Sequence, residues 1–580
     1  MQHPEPQILH LLQKLSHTTY TPWVLQDATD MPKIRAVFFF FLFIFIAILV
    51  KLFFIQVAPS SNVSQSYLKY KQIYPDRGTI LDRNQQPLAL NRKTYLVFAE
   101  PKIIKDISTV TEKVAKELSA DQASIAARLD PSLSWVKLAE GVSQKTKKTI
   151  EALKLRGVGF EEQSQRYYPE ASLSAHLLGF VGKGKAGEPI GYFGVEGFYE
   201  QDLAGLLGFV KSERDLIGRP ILIGDQEKID SENGRDLILT VDKTVQNIAK
   251  AKLKSGLESY QAKEGCVIVA NPYTLEILAL TCLPDYDPNL YYDSNDQTFN
   301  NQSISSLYEP GSTFKPLITA AGIEEKAIKS DSKFDEKGPV TIGEYTIRTW
   351  NNKYEGKISM TRILEKSSNV GMVYIGSKLG KNNVKKYVEE YGFGQKTGID
   401  LQGESAGYIR DYWADIDYAT VTFGQGIVVT PIQMVRAFSA VINGGNLMRP
   451  YIVKAMKTGL TTQEVKPKLD KKILSQKTSD IVKKMLVSTV EHGEYKWAIP
   501  EGYHIGGKTG TAQIAIGGKY DASKTIASFI GFAPADKPKF IALVVLKEPK
   551  SSIYGSETAA PIFFEIAKEL LYYYNIPPSN

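Results

Sequence analysis

Residues 36–57 read AVFFFFLFIFIAILVKLFFIQV, an apolar run of 22 residues interrupted only by Lys51 and Gln56. As a helix rising about 1.5 Å per residue, it is long enough to cross a hydrocarbon core, with the Lys51 stem lying along apolar surface and its amine reaching toward one interface. Lys33 and Arg35 stand immediately before the run, and beyond it the first basic residue is Lys69. This asymmetry predicts an N-terminus in the cytoplasm and the rest of the chain on the far side of the membrane. A cleaved signal peptide is the rival reading. The run is long for one, and Gln56-Val57-Ala58 is a poor small-x-small cleavage site. The expected arrangement is a cytoplasmic tail over residues 1–35, a retained single-pass helix over 36–57, and an extracytoplasmic remainder.

That remainder has room for two domains. Of 580 residues, 43% are apolar and 23% charged, which excludes general disorder. Lysine and arginine number 70 against 63 acidic residues, a net charge of +7 without a long basic run, so no nucleic-acid partner is expected. Two cysteines, Cys266 and Cys282, are too few for a disulfide framework, and no cluster of His, Cys, Asp and Glu suggests a metal. His3, His10 and His17, half of the six histidines, fall in the first thirty residues, which carry no clear pattern. Met31, followed by PKIR and the apolar run, reads as the natural start of the chain.

Past the anchor, residues 58–235 mix short β-like runs such as YLVFAEP (95–101) with helical stretches such as TEKVAKEL (111–118). They hold no cluster of reactive groups and read as a pedestal. A second pattern begins near Leu237, with a strand and helix in LILTVDKTVQNIAKAKL. A hairpin follows, made of CVIVA (266–270), the turn NPYTLE and ILALTC (277–282). The pairing sets Cys266 near Cys282, where either a cross-strand disulfide or two buried thiols would fit. The far end offers three more strands, YHIGGKTGTAQI, TIASFIGFA and FIALVVLKE, and a last amphipathic helix, PIFFEIAKELLYYY. Strands from both ends with helices between them predict an α+β domain over residues 236–580, its single sheet closed by both halves of the segment and covered by helices.

Residues 309–316 read EPGSTFKP. Pro316 lacks an amide hydrogen and the apolar LITAAGI behind it reads as helix, so the proline belongs in the first helical turn. Ser312 then stands at the helix's N-terminal tip, where the dipole and free amides favour negative charge developing on its oxygen. Lys315, three residues on, shares its helix face. A partly desolvated lysine near other cations has a lowered pKa and serves as a proton acceptor, so the base for Ser312 need not be a histidine. Spacing alone is a weak signal, since Ser-x-x-Lys also starts at Ser66, Ser134 and Ser330. Only Ser312 has a preceding glycine, a proline fixing the helix start and an apolar helix after it.

Two further stretches offer companions. KSSNVG (366–371) breaks two helix-like runs and can aim Ser367 and Asn369 into a cleft, the first as a proton relay, the second as a partner for a substrate amide. The plain alternative is a helix cap, which Ser and Asn also favour. GGKTGTAQ (506–513) reads as strand. Alternation puts Thr509 and Thr511 on one face, where two hydroxyls can hold a carboxylate, and Gly510 lets a substrate backbone approach as an added strand. Lys508 supplies positive potential, although alternation points it to the opposite face, so its stem must reach in from the sheet's edge. A second Lys-Thr-Gly, at 396–398, sits in a glycine-rich context and reads as loop.

In this order, Ser312-Thr-Phe-Lys315, Ser367-Ser-Asn369 and Lys508-Thr-Gly510 resemble the triple signature of penicillin-binding proteins and serine β-lactamases. YPDRGTILDRN, AHLLGFVG (175–182), GVEGFYEQDLAG (194–205), YGFGQKTGIDLQGE and TFGQGIVVTPIQM (422–434) resemble stretches of the monofunctional, class B penicillin-binding proteins, in detail the septal peptidoglycan D,D-transpeptidases. One departure is RNQQ (83–86), where the family usually has a glycine in the turn. The resemblance implies a penicillin-binding/serine β-lactamase-like transpeptidase domain over 236–580, an antiparallel sheet covered by helices, on an α+β pedestal/dimerisation-like domain over 58–235. It implies acyl transfer with no cofactor and no metal. Ser312 would be the acylated nucleophile attacking the D-Ala–D-Ala bond of a stem peptide, Lys315 its base, and Ser367 the group passing the proton to the departing D-alanine. Asn369 would position the donor peptide, while Lys508, Thr509, Gly510 and Thr511 receive its terminal carboxylate. The backbone amides of Ser312 and Thr511 would form the oxyanion hole. The implied partners are peptidoglycan stem peptides, β-lactams, and a polytopic membrane glycosyltransferase with other division proteins.

Other classes fit less well. An elongation-type transpeptidase shares the signature and differs only in detail. A β-lactamase would need a deacylating base such as the glutamate of a Glu-x-x-Leu-Asn context, which the sequence lacks, and would have little use for a pedestal. A β-lactam sensor would carry more spans and a cytoplasmic effector domain. An intact triplet argues against a catalytically dead scaffold. Histidine-type serine protease chemistry finds only His176, His492 and His504 beyond the tail, without a paired aspartate motif.

Overall fold

The computed structural model describes residues 31–56, 68–213, 226–493, 498–517 and 519–579. The expected tail over residues 1–30, on which the reading of Met31 as the natural start turns, lies outside them. The described chain separates by its contacts into two compact units, residues up to 72 with 209–229, and residues 73–208 with 230–580. The first unit holds the helix Met31–Gln56 and a three-stranded sheet of Leu68–Ile73, Gly208–Glu213 and Gln226–Ile229. Within the helix, Pro32–Phe54 is long and apolar enough to cross a membrane, at a mean hydropathy of 3.0, and packs against no protein core.

The second unit is built around two sheets. In one, the strands run in the order Thr461–Glu464, Val453–Thr458, Asp236–Leu239, Ile80–Leu81, Pro87–Ala99, Val136–Val142, with Val158–Tyr167 also paired to Pro87–Ala99. Asp236–Leu239, where the second sequence pattern begins, therefore bridges Ile80–Leu81, which precedes it in the chain, and Val453–Thr458, which follows. The turn after Ile80–Leu81 is tied by Asp82, whose Oδ1 accepts from the amides of Asn84 and Gln86, each at 2.8 Å. Gln85 sits in it at φ +63°, the left-handed region that a side chain disfavours. This is the turn in which a glycine is missing. Gln85→Gly is expected to raise stability by about 1 kcal/mol, read as a higher denaturation midpoint, with penicillin acylation unchanged.

The other sheet has five strands: β1 Glu264–Ala270, β2 Ile277–Leu283, β3 Gly506–Ile516, β4 Lys519–Ala533 and β5 Phe540–Lys547. Their order is β2-β1-β5-β4-β3 and every pair is antiparallel, so the two ends of the segment do meet in one sheet, with β3 at its edge. It is not the segment's single sheet, however: Asp236–Leu239, Val453–Thr458 and Thr461–Glu464 pair in the other one. The helices that cover it are α1 Lys243–Tyr260, α2 Lys315–Glu324, α3 Met360–Glu365, α4 Asn369–Leu379, α5 Pro431–Ile442, α6 Gln476–Glu491 and α7 Ala559–Tyr573. Runs such as CVIVA and FIALVVL lack strict apolar–polar alternation because both sheet faces are buried. Val267, Val269, Phe529 and Val544 pack against α1 and α7 on one side. Ile268, Ile530 and Leu543 join Leu317 of α2 and Phe438 of α5 in the core on the other. Helix α5 is buried at all twelve positions, which is why its sequence, PIQMVRAFSAVI, is apolar nearly all round. Cys266 faces Cys282 across β1 and β2, and the two form a disulfide, which decides between the two readings left open above. Strand β3 begins at Gly506, three residues later than its sequence suggests, because Tyr503 is turned to donate to the Ile576 carbonyl at 2.9 Å. His504 precedes the strand, with Nδ1 at 2.7 Å from Glu491 Oε1.

Candidate active site

Residues 311–314 form a tight 3-10 turn that leads directly into α2, with Lys315 and Pro316 as its first helical residues. The proline's missing donor costs nothing there, because first-turn amides have no helical partner. Gly311 sets the turn at φ +56° and its amide donates to the Gly424 carbonyl at 3.0 Å. The two backbones are so close that a β-carbon on Gly424 would fall 2.1 Å from Gly311 O. Glu309 anchors the turn's other side, its Oε1 accepting from the Gly426 amide at 2.9 Å and from the Tyr520 hydroxyl at 3.1 Å. Burial raises the Glu309 pKa above the usual carboxylate range. Phe314 is buried against Phe393, with ring centroids 5.2 Å apart, leaving Ser312 half-exposed on the opposite side of the turn.

Helices α3 and α4 break at residues 366–368. The helix cap is Ser368, whose Oγ accepts from the Gly371 amide at 2.9 Å. Its neighbours Ser367 and Asn369 are thereby free to face Lys315. The Lys315 amine donates to Ser367 O at 2.5 Å, Ser367 Oγ at 3.1 Å and Asn369 Oδ1 at 2.8 Å. Lys315 is fully buried. Burial first, and the nearby Lys508 charge second, hold its pKa well below the ordinary lysine value. A neutral amine at this position has a lone pair with which to take a proton. Among the described residues its hydrogen bonds go to the Ser-Ser-Asn turn and none goes to Ser312 Oγ, one helical turn away.

Strand β3 runs alongside the Ser312 turn. A β-carbon on Gly311 would lie 3.2 Å from Thr511 O, and one on Gly510 would lie 3.0 Å from Pro310 O and 2.5 Å from Ser528 Oγ. Lys508, Gly510 and Ala512 are buried while Thr509 and Thr511 are half-exposed, the two-residue alternation expected of a strand. The Lys508 amine reaches around to Thr509 O at 3.3 Å and Thr509 Oγ1 at 3.2 Å. Thr511 Oγ1 accepts from the Gly555 amide at 3.0 Å. Each threonine oxygen therefore accepts an internal donor, so its own proton is available to donate to an incoming carboxylate. Gly510→Ala is expected to push β3 off the turn and slow penicillin acylation by about 100-fold, in line with the cost of a displacement near 1 Å at a reacting centre. The rate of labelling by a fluorescent penicillin measures it.

Some of the surroundings have no signal in the sequence. Trp350 and Tyr554, both substantially exposed, meet edge to face with centroids 5.7 Å apart. Trp350 Nε1 donates to Lys366 O at 3.3 Å, and Tyr554 precedes the glycine bonded to Thr511, so the pair links the Ser-Ser-Asn side to the β3 side. The second Lys-Thr-Gly is loop, where Thr397 donates through both its amide and its hydroxyl to Glu404. Ser134 accepts from Lys102 at 3.1 Å, remote in sequence from the other motifs. No group of His, Cys, Asp and Glu among the described residues could hold a metal ion.

Residues 265–568 match the family described as penicillin-binding protein transpeptidase domain, and residues 72–239 match the penicillin-binding protein dimerisation domain. The chain is 36% identical to stage V sporulation protein D of Bacillus subtilis, over 88% of this chain and 80% of that one. It is 29% identical to the peptidoglycan D,D-transpeptidase FtsI of Escherichia coli, over 88% of this chain and 86% of that one. Its fold is similar to the crystal structure of penicillin binding protein 2X from Streptococcus thermophilus, with a TM-score of 0.74 at 24% identity, over 86% of this chain and 80% of that one.

Proposed function

The chain belongs to the penicillin-binding protein transpeptidase family, and on that premise we propose that it cross-links peptidoglycan through an acyl ester on Ser312. The observation that carries this reading is the buried Lys315 amine, its pKa lowered by burial and then by the Lys508 charge, held by Ser367 and Asn369 beside the Ser312 turn. In the first half-reaction, Ser312 Oγ attacks the carbonyl carbon of the penultimate D-alanine of a stem peptide while Lys315 takes its proton. The oxyanion is met by the amides of Ser312 and Thr511, where it develops. Collapse breaks the amide bond, and the departing D-alanine nitrogen receives the proton through Ser367. In the second half-reaction an amine of a neighbouring stem attacks the ester carbonyl, Ser312 recovers its proton, and the cross-link is left. Asn369 orients the donor peptide; Lys508, Thr509 and Thr511, with Gly510 giving room, hold its carboxylate. A β-lactam presents the same carboxylate and a strained amide, and acylates Ser312 in the same way. No step calls for a cofactor.

Residues 58–235 serve as pedestal and 236–580 as transpeptidase domain, with the N-terminus in the cytoplasm and the catalytic half outside. The partners of this arrangement are a membrane glycosyltransferase that supplies glycan strands and the division proteins around it. The role is septal synthesis; the likeness to a stage V sporulation protein supports a second reading, wall synthesis confined to sporulation. A fluorescent fusion at mid-cell throughout growth supports the first. Appearance only in sporulating cells supports the second, and a side-wall pattern contradicts both.

A further inference from the structure

The Ser367 turn is held by a carboxylate from a distant part of the chain. The strand Lys333–Glu336 pairs antiparallel with Gly356–Ser359, and its last residue, Glu336, is fully buried. Ser368 Oγ donates to Glu336 Oε1. Lys366 Nζ donates to Glu336 Oε2 at 3.2 Å, and the Glu355 amide donates to the same oxygen at 3.3 Å. One buried carboxylate thus grips the residues on either side of Ser367. Ser367 itself sits at φ +56°, a conformation a non-glycine residue keeps only where its surroundings impose it. That conformation turns both its carbonyl and its hydroxyl onto Lys315.

We propose that Glu336 is a positioning residue for proton transfer, acting through Ser367: by fixing Lys366 and Ser368 it holds Ser367 in the left-handed conformation that keeps its hydroxyl on the Lys315 amine. The inference rests on the reading of Ser367 as the proton relay. Glutamine is isosteric and its carbonyl oxygen can still meet the Lys366 ammonium and the Glu355 amide. Its NH2 then faces Ser368 Oγ, whose proton loses its acceptor, and the negative charge beside Lys366 is gone, so Glu336→Gln loosens the grip without emptying the site. Glu355 is a fitting control. Its side chain joins the same charge cluster through Lys366 and Arg362, while among the described residues the Ser368 hydroxyl bonds to Glu336 and the Gly371 amide.

The test is rapid-mixing acylation of the full chain in detergent by a fluorescent penicillin, with the non-covalent dissociation constant and the acylation rate constant separated by varying its concentration. Glu336→Gln is expected to lower the rate constant at least tenfold while leaving the dissociation constant within twofold. In a Ser367→Ala background the same substitution is expected to cost less than twofold, because the group it positions is gone. Glu355→Gln is expected to stay within threefold of the parent. An unchanged rate constant for Glu336→Gln overturns the proposal, as does an equal loss in both backgrounds or an equal loss in Glu355→Gln. If Ser367→Ala alone leaves the rate constant unchanged, the relay reading itself falls and the inference with it. Should Glu336→Gln not fold, Lys366→Met removes one arm of the grip. Its loss is expected to vanish in the Ser367→Ala background, and a loss that persists there overturns the proposal.

Discussion

Ser312→Ala is expected to abolish covalent labelling of the chain by a fluorescent penicillin, a fall of at least about 10⁴-fold in acylation rate, because it removes the hydroxyl proposed to be acylated. Ser312 is the half-exposed side chain of a turn whose neighbours, Thr313 and Phe314, are buried. The other described Ser-x-x-Lys serines lack that setting. Ser134 is exposed and hydrogen-bonded to Lys102, and Ser330 stands in a surface turn before the strand Lys333–Glu336. Ser134→Ala and Ser330→Ala are therefore expected to label at the parent rate. A Ser312→Ala protein that still carries covalent label overturns the site. The lifetime of the parent adduct separates transpeptidase from β-lactamase. A transpeptidase ester waits for an amine and persists on a gel after denaturation, whereas a lactamase would release hydrolysed antibiotic with many turnovers per chain.

What the sequence carried, and what it did not, divides along the distance over which each residue acts. The geometry of the Ser312 turn was legible because its determinants are local. A proline cannot lie deep in a helix, so the phase of α2 and the place of Ser312 and Lys315 follow from eight consecutive residues. The alternation along β3 was legible for the same reason, down to the stem of Lys508 having to come around from the buried face. The five-stranded sheet announced itself by long apolar runs at both ends of the segment. Long-range partners were not legible. Glu336, Trp350 and Tyr554 stand in stretches with no local pattern, and they come to the site only through tertiary contacts. The division of labour within Ser-Ser-Asn was ambiguous in principle, since any of the three residues can cap a helix. It took the Ser368–Gly371 bond to show which one does. Likewise a hairpin places two cysteines opposite each other without deciding their oxidation state.

Acylation by penicillin is expected to follow the protonation of Lys315, and Lys315→Met to reduce it by about 10³-fold or more. Only the neutral amine can accept the Ser312 proton. The protonated form spends its three N–H groups on Ser367 O, Ser367 Oγ and Asn369 Oδ1 and has no lone pair left. The rate therefore rises as pH rises through the Lys315 pKa and levels off above it. Because that pKa lies well below 10.5, the plateau is reached below the pH at which an ordinary lysine would lose its proton. Two causes depress it, burial first and the Lys508 charge second, and they can be pulled apart. Lys508→Gln removes a positive charge that disfavours the protonated amine, so the Lys315 pKa rises and the acid limb of the pH–rate profile moves to higher pH. The move is partial, since burial, the larger cause, is untouched. The same substitution weakens carboxylate binding, which lowers the plateau but does not shift the limb. A limb that stays in place in Lys508→Gln, or one that survives in Lys315→Met, would mean that some other group than Lys315 takes the proton from Ser312.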